Sequence, residues 1–176
     1  MNIKLSVVAS LVFVGLFAMS CNRNPQSEGV TEQEKSVEVT LKDYGAEPTV
    51  LDIDAYTMSN DNFITALWTG TKFQVTLMSI PAGGEIGLEQ HPDTDQFLRI
   101  EDGEAKVMMG DEKESLTFIQ TAGKDFAIIV PAGKWHNLVN TGDKPLKLYS
   151  IYSPAEHPRG TVHKTFEEAE EAEHHH

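Results

Sequence analysis

Apolar and polar residues alternate in short runs through the middle of the chain, and turn residues separate the runs. The runs predict β-strands at residues 36–40, 63–68, 73–80, 96–101, 104–109, 115–119, 126–130, 136–140 and 146–152. Glycine-containing turns, such as those at residues 81–84 and 141–143, lie between them. Many short strands at regular spacing favour a sandwich or barrel over a parallel α/β sheet, so we expect one small all-β barrel.

Two of these strands, at residues 75–78 and 127–130, are largely apolar on both faces. Such strands suit burial between two sheets, or a barrel face covered by a partner. The pattern therefore predicts a homodimer formed by sheet-to-sheet packing. On the first of these strands, the sequence leaves open whether Gln74, Thr76 and Met78 or the alternating set Phe73, Val75 and Leu77 faces the interior.

The N-terminal residues form a different kind of segment. An apolar run follows Lys4 and ends just before Cys21, the only cysteine, and it is too short to span a bilayer comfortably. We interpret residues 1–21 as a signal peptide that resembles those of bacterial lipoproteins, with Cys21 as the acylated residue. Ordinary secretion, with Cys21 removed or left as a free thiol, is the alternative. A lone cysteine leaves no disulfide within the chain.

These boundaries divide the chain into four parts. Residues 22–36 are polar and predict a flexible linker, residues 37–163 the barrel domain, and residues 164–176 an acidic, helical tail. The net charge of −13 argues against nucleic acid and against electrostatic docking to a membrane. We therefore expect an exported protein, periplasmic or on the outer surface, that contacts membrane through its lipid anchor only. His174–His176, which are either native residues or the remnant of a purification tag, are left out of the site.

Two segments carry the candidate chemistry, GGEIGLEQHPDTDQF at residues 83–97 and PAGKWHNLVN at residues 131–140. In an extended strand alternate side chains share a side, so Glu89 and His91 point the same way. Gln96 opens the next strand, and His136 begins the strand after the turn at residues 131–133. If these strands are neighbours, four donor side chains converge. Imidazole and carboxylate suit Zn, Mn, Fe, Co or Ni.

These segments resemble the two motifs of the cupin superfamily. The second motif is complete, with Pro131, Gly133, His136 and Asn140 at the family's spacing. The first is altered, and Asp125 stands where a glycine usually begins the second. In the first motif a glutamate replaces the first histidine and a glutamine replaces the family's glutamate. The resemblance implies a single cupin jelly-roll β-barrel (double-stranded β-helix) that holds one divalent metal through Glu89, His91, Gln96 and His136.

The same resemblance implies a metal-dependent dioxygenase or isomerase acting on a small molecule, and no catalytic residue is singled out by the sequence. The alternative is a non-catalytic cupin module that binds a sugar or other small ligand, because fold alone does not specify a reaction. Residues 156–163, with two histidines, either close over the barrel mouth or form an ordinary surface tail. Arg99 alternates with the site-facing residues, and we expect it in an interface or a salt bridge.

Overall fold

The computed structural model describes residues 38–173, which belong to one compact unit. It contains two antiparallel sheets and two short helices. The elements are α1 (Ile53–Ser59), β1 (Ile64–Thr69), β2 (Gln74–Ile80), β3 (Glu89–Gln90), β4 (Asp95–Asp102), β5 (Glu104–Gly110), β6 (Phe118–Gly123), β7 (Ala127–Val130), β8 (Trp135–Asn140), β9 (Leu146–Ser153), β10 (Val162–His163) and α2 (Phe166–Glu173). The predicted all-β architecture with a helical tail is confirmed.

The two sheets stack face to face. One has the strand order β10-β1-β2-β9-β4-β7 and the other β3-β8-β5-β6, and every pair is antiparallel. The predicted signal peptide, the predicted linker up to residue 36, Cys21 and the last three histidines lie outside the described residues. Neither helix in the described part of the chain has the length and hydropathy of a membrane span.

Two of the predicted strands were placed wrongly. Residues 38–40, the described part of the predicted strand 36–40, are not in a strand. The strand predicted at residues 115–119 begins only at Phe118, because the chain first turns back tightly after Gly110. The backbone of Ser115 approaches Gly110 so closely that a Cβ on Gly110 would lie 2.2 Å from the carbonyl oxygen of Ser115. Beyond this turn, β5 and β6 pair from Met109 and Phe118 onwards. The apolar run thus predicted the hairpin but not its length.

The core between the sheets settles which face of β2 points into the barrel. Met78 packs with Leu98 and Leu148 of its own sheet and with Val107 and Leu138 of the other. By alternation, Gln74 and Thr76 share this inner face. Leu77 points outwards and packs beneath α1.

The outer face of the larger sheet is only partly covered. Tyr56 of α1, Leu67 and Leu77 form a second apolar cluster there. Helix α1 begins at Asp52, whose side chain accepts a hydrogen bond from the amide of Ala55. Farther along, Ile129 is 68% exposed and Phe126 56%. A homodimer formed by sheet-to-sheet packing, as the sequence predicts, would cover such exposed apolar residues. The homodimer stays a prediction.

Asn140, the last residue of the second motif, has a structural role. Its buried amide nitrogen lies within 2.8–3.1 Å of the carbonyl oxygens of Ile80, Pro81 and Lys144. Its Oδ1 accepts from the amide of Gly142 at 2.9 Å. One side chain therefore ties the end of β8 to the end of β2 and closes the following turn, which satisfies backbone groups that would otherwise be buried without partners.

Candidate metal centre

The site forms where β3 pairs with β8. Glu89 and His136 are direct cross-strand partners, and His91 follows β3 on the same side as Glu89. The Oε1 atom of Glu89 lies 3.1 Å from Nε2 of His136 and 3.3 Å from Nε2 of His91. One ligand atom from each of the three residues lies within 4.8 Å of the other two. The structure thus brings three of the four predicted ligands together.

The far nitrogen of each imidazole is held by an acceptor. Nδ1 of His136 lies 3.1 Å from the backbone oxygen of Lys134, and Nδ1 of His91 lies 3.1 Å from Oε1 of Glu156. When Nδ1 carries the proton and donates it to these acceptors, the Nε2 lone pairs face Glu89. Orientation of ligating histidines through the other ring nitrogen is the usual outer-shell arrangement of metal sites.

The glycine turn of the second motif positions the loop that carries His91. The amide of Gly133 donates to the backbone oxygen of His91 at 2.8 Å, and the side chain of Gln90 donates to the oxygen of Gly133 at 2.8 Å. Gly133 has a φ of 78°, in the left-handed region that favours glycine. The two motifs are therefore joined by backbone hydrogen bonds as well as by their side chains.

Glu89 and Glu156 form an ionic network with His91, which lies between them. Burial raises the pKa of Glu89, but the hydrogen bonds and charges of His136 and His91 outweigh it and lower that pKa to about 2. Burial lowers the pKa of His91, whereas Glu156 and Glu89 raise it to about 10. The hydrogen bond from His91 also lowers the pKa of Glu156. An incoming cation would therefore compete with a proton on His91.

The two distances that join Glu89 to the histidines are compatible with a small metal ion. Nitrogen and oxygen ligands at ~2.1 Å from a metal lie roughly 3.0–3.4 Å from each other in octahedral or tetrahedral sites. The two distances from Glu89 to the histidines, 3.1 and 3.3 Å, fall in this range. The donor set of two imidazoles and one carboxylate suits Zn, Mn, Fe, Co and Ni. Three ligands leave further coordination positions open.

Gln96 is placed differently from the other three predicted ligands. It lies on β4, where its Nε2 donates to Oγ of Ser150 at 3.1 Å. Its buried Oε1 has no hydrogen-bond partner among the described residues. The side chain lines the same cavity as Glu89 and His91, but no described contact joins it to them. An ion or a water would satisfy Oε1, so Gln96 stays a predicted ligand.

Comparison with known proteins agrees with this architecture. The Cupin_2 family model, described as a cupin domain, matches residues 76–152. The chain is 58% identical to the protein YrkC of Bacillus subtilis (strain 168) over 133 residues, which cover 76% of this chain and 72% of that protein. The chain belongs to the cupin superfamily. It is also similar to L612 of Acanthamoeba polyphaga mimivirus, with 38% identity over 114 residues, covering 64% of this chain and 69% of that protein.

One solved structure is similar to this chain over nearly the whole length of the solved chain. The crystal structure of BH2720 from Bacillus halodurans has 52% sequence identity to this chain and a TM-score of 0.73. The match covers 74% of this chain and 98% of that one. The jelly-roll cupin fold implied by the two motifs is thereby confirmed.

One departure of this cupin from the family pattern has a visible structural counterpart. Asp125, which replaces the usual glycine, has a φ of 70° and is the only non-glycine residue with positive φ among those described. Its carboxylate pairs with Arg99 at 2.6 Å, and Arg99 also pairs with Glu101. The predicted salt bridge of Arg99, away from the site, is confirmed.

Two of the three clustered residues, Glu89 and His91, line a cavity of about 770 Å³. Residues after β9, including Glu156, His157 and His163, form part of its wall, so the segment 156–163 borders the cavity. Gln74 fixes it, since its side chain accepts from the amide of His157 and donates to the oxygen of His157, at 3.0 and 2.9 Å.

The role of Glu156 was missed by the sequence motifs. The family match ends at residue 152, before Glu156 and His157. Burial lowers the pKa of His157, and its Nε2 has no hydrogen-bond partner among the described residues. The only sequence signal was an acidic residue beside a histidine directly after the last long strand. That signal does not specify a contact with His91.

Proposed function

We propose that this cupin holds one divalent transition metal through Glu89, His91 and His136 and acts on a small molecule in the adjoining cavity. The proposed activity is that of a metal-dependent oxidoreductase of the dioxygenase type or of an isomerase. The observation that supports it is the convergence of three nitrogen and oxygen donors, within 4.8 Å of each other, beside a cavity of about 770 Å³. Pockets of 300–1,000 Å³ are typical of small-molecule sites.

Some residues of the site are proposed to bind the ion, and others orient the side chains that bind it. Two histidines and one carboxylate with open positions form the set that non-haem iron(II) oxygenases use. A metal held by these residues would supply Lewis acidity and, if it were iron(II), activation of dioxygen. Glu89 provides the negative charge, and Glu156 and the backbone oxygen of Lys134 hold the Nδ1 protons of the two histidines. Gln96 at the cavity wall is a further candidate ligand.

The test is elemental analysis of the full chain purified without a metal column. We expect about one transition metal per chain, whose identity directs the next assay: iron points to dioxygen chemistry, and zinc or manganese to isomerase chemistry. A protein that stays free of metal after incubation with these ions would contradict the proposal. The non-catalytic module that binds a sugar or other small ligand would then become the better explanation.

Variants locate the metal. His91→Ala and His136→Ala are each expected to remove bound metal while the circular dichroism spectrum stays that of a β-protein. His163→Ala is the matched control, because His163 lines the same cavity but is not one of the three clustered residues. Metal retained at full stoichiometry in both site variants would refute the assignment of the ligands.

Location and assembly are part of the same proposal. The apolar N-terminal run and Cys21 support export and anchoring through a lipid, and the acidic charge gives no support for a nucleic-acid partner. The apolar outer face near Ile129 supports the predicted homodimer. Sedimentation analysis of the full chain in detergent would measure the oligomeric state.

A further inference from the structure

The charge of the cavity walls limits the ligands that it can hold. None of the described residues that line the cavity is lysine or arginine, whereas Glu89, Glu156 and Glu170 all line it. A bound divalent ion and the carboxylates of Glu89 and Glu156 cancel in charge, and Glu170 adds a further negative charge. Proteins bind phosphate and carboxylate groups mainly with arginine and lysine. Among the described residues, the cavity therefore has no lysine or arginine that would neutralise an anionic ligand away from the metal.

One wall of the cavity is apolar and well ordered by packing. The rings of Phe63 and Phe166 meet edge to face with their centroids 5.6 Å apart. Ile64 and Met78 from the sheet line the same wall. All of these except Phe166 are buried, so the wall belongs to the main core.

Helix α2 completes this wall with one face. Phe166, Ala169 and Ala172 line the cavity at three-residue spacing, which places them on one side of the helix. The wall begins close to the metal centre, because a Cβ on Gly87 would lie 3.2 Å from the ring of Phe166, and Gly87 is two residues before Glu89. A ligand that reaches the ion from the cavity therefore has the apolar wall beside it.

We propose that the ligand of this cavity is an organic molecule without a negatively charged substituent, with an oxygen donor at one end and an apolar body. Its oxygen donor binds at the metal, and its body packs against Phe63 and Phe166. This inference rests on the proposed function, because it assigns the oxygen-bearing end to the metal. It separates the candidate substrates of the site, since it disfavours sugar phosphates and dicarboxylates.

A series of catechols with one head group tests the proposal. The full chain, loaded with redox-inert Zn²⁺ at neutral pH, is titrated with catechol, 4-ethylcatechol and 3,4-dihydroxyphenylacetic acid, whose side chain carries a carboxylate. We expect 4-ethylcatechol to bind roughly tenfold more tightly than catechol, because its ethyl group is buried against the apolar wall. The acid is expected to bind at least tenfold more weakly than 4-ethylcatechol, because its carboxylate enters without a partner.

Two variants probe the walls separately. Phe166→Ala is expected to keep the metal and to lose most of the preference for 4-ethylcatechol over catechol, whereas Phe166→Leu keeps that preference. Glu170→Lys replaces an exposed helix residue, so the fold is retained even if the Phe166 variants are unstable. This variant is expected to reduce the ratio between the affinities for 4-ethylcatechol and for the acid several-fold.

The outcomes separate this inference from the proposed function. If the acid binds as tightly as 4-ethylcatechol, or if the ethyl group gives no gain, the inferred ligand class is overturned. A chain that takes up no metal overturns the proposed function. If that metal-free chain still prefers 4-ethylcatechol to the acid, the apolar body and the absence of a negative charge on the ligand are supported without the metal.

Discussion

Replacing Glu156 by glutamine tests whether the residues after the last long strand take part in the metal centre. In the structure Oε1 of Glu156 lies 3.1 Å from Nδ1 of His91, on the side of the ring opposite Glu89. Glutamine keeps an oxygen that accepts the Nδ1 proton but removes the negative charge. Alanine removes both. The pair of variants therefore separates the contribution of the charge from that of the hydrogen bond.

Two independent arguments give the size of the effect. Loss of an outer-shell partner of a ligating histidine typically weakens metal affinity 10–100-fold. A hydrogen bond to a charged group contributes about 1.5–3 kcal/mol, and 1.4 kcal/mol corresponds to a factor of ten. The side chain of Glu156 is 30% exposed, which screens part of its charge. We therefore expect about a tenfold loss for Glu156→Gln and up to about a hundredfold loss for Glu156→Ala.

The measurement is a competition titration of Zn²⁺ between the protein and a chromophoric chelator at fixed pH and salt. Glu170→Gln is the matched control, because Glu170 lines the same cavity and loses the same charge without a described contact to His91. Affinities of both Glu156 variants within twofold of the wild type would refute the role of Glu156. An equal loss in Glu170→Gln would show that the overall charge of the cavity, and not the contact with His91, sets the affinity.

Four further results are expected. Since the pKa of His91 is raised to about 10, His91 of the metal-free protein is protonated at pH 8, and Zn²⁺ binding should release about one proton. Calorimetry in buffers of different ionisation enthalpy measures this release, and its absence would contradict the prediction. Asn140→Ala should lower the free energy of unfolding by about 3 kcal/mol in urea titrations, because it leaves buried carbonyl groups unpaired, whereas an unchanged midpoint would contradict that role. Gly110→Ala should lower the free energy of unfolding by about 2–3 kcal/mol in the same assay, because the new Cβ meets the backbone of Ser115. Gly133→Ala is the comparison, because its Cβ enters open space and its effect reports backbone strain alone. Cys21→Ser should move the protein from the membrane fraction to the soluble fraction, and unchanged fractionation would exclude the lipid anchor.

Much of the fold could be predicted because strand formation leaves a local pattern. Alternation of apolar and polar residues predicted the strands from β1 to β9, except for the two-residue β3 and the start of β6. The tight turn after Gly110 depends on how closely two backbone segments approach, which no local pattern records. Helix α1 was missed because its seven residues are too few to show a helical period.

The same difference between local and non-local information applies to the candidate site. The sequence by itself determined that Glu89 and His91 share one side of an extended segment, and that Gly133, His136 and Asn140 recur at the spacing of the second cupin motif. Only the tertiary structure decided that Glu89 pairs with His136, that Gln96 bonds to Ser150, and that Glu156 holds the outer nitrogen of His91. Periodicity specifies the direction of a side chain relative to its neighbours in the chain. Which distant residue it meets is set by strand pairing and by the packing of the last segment over the barrel.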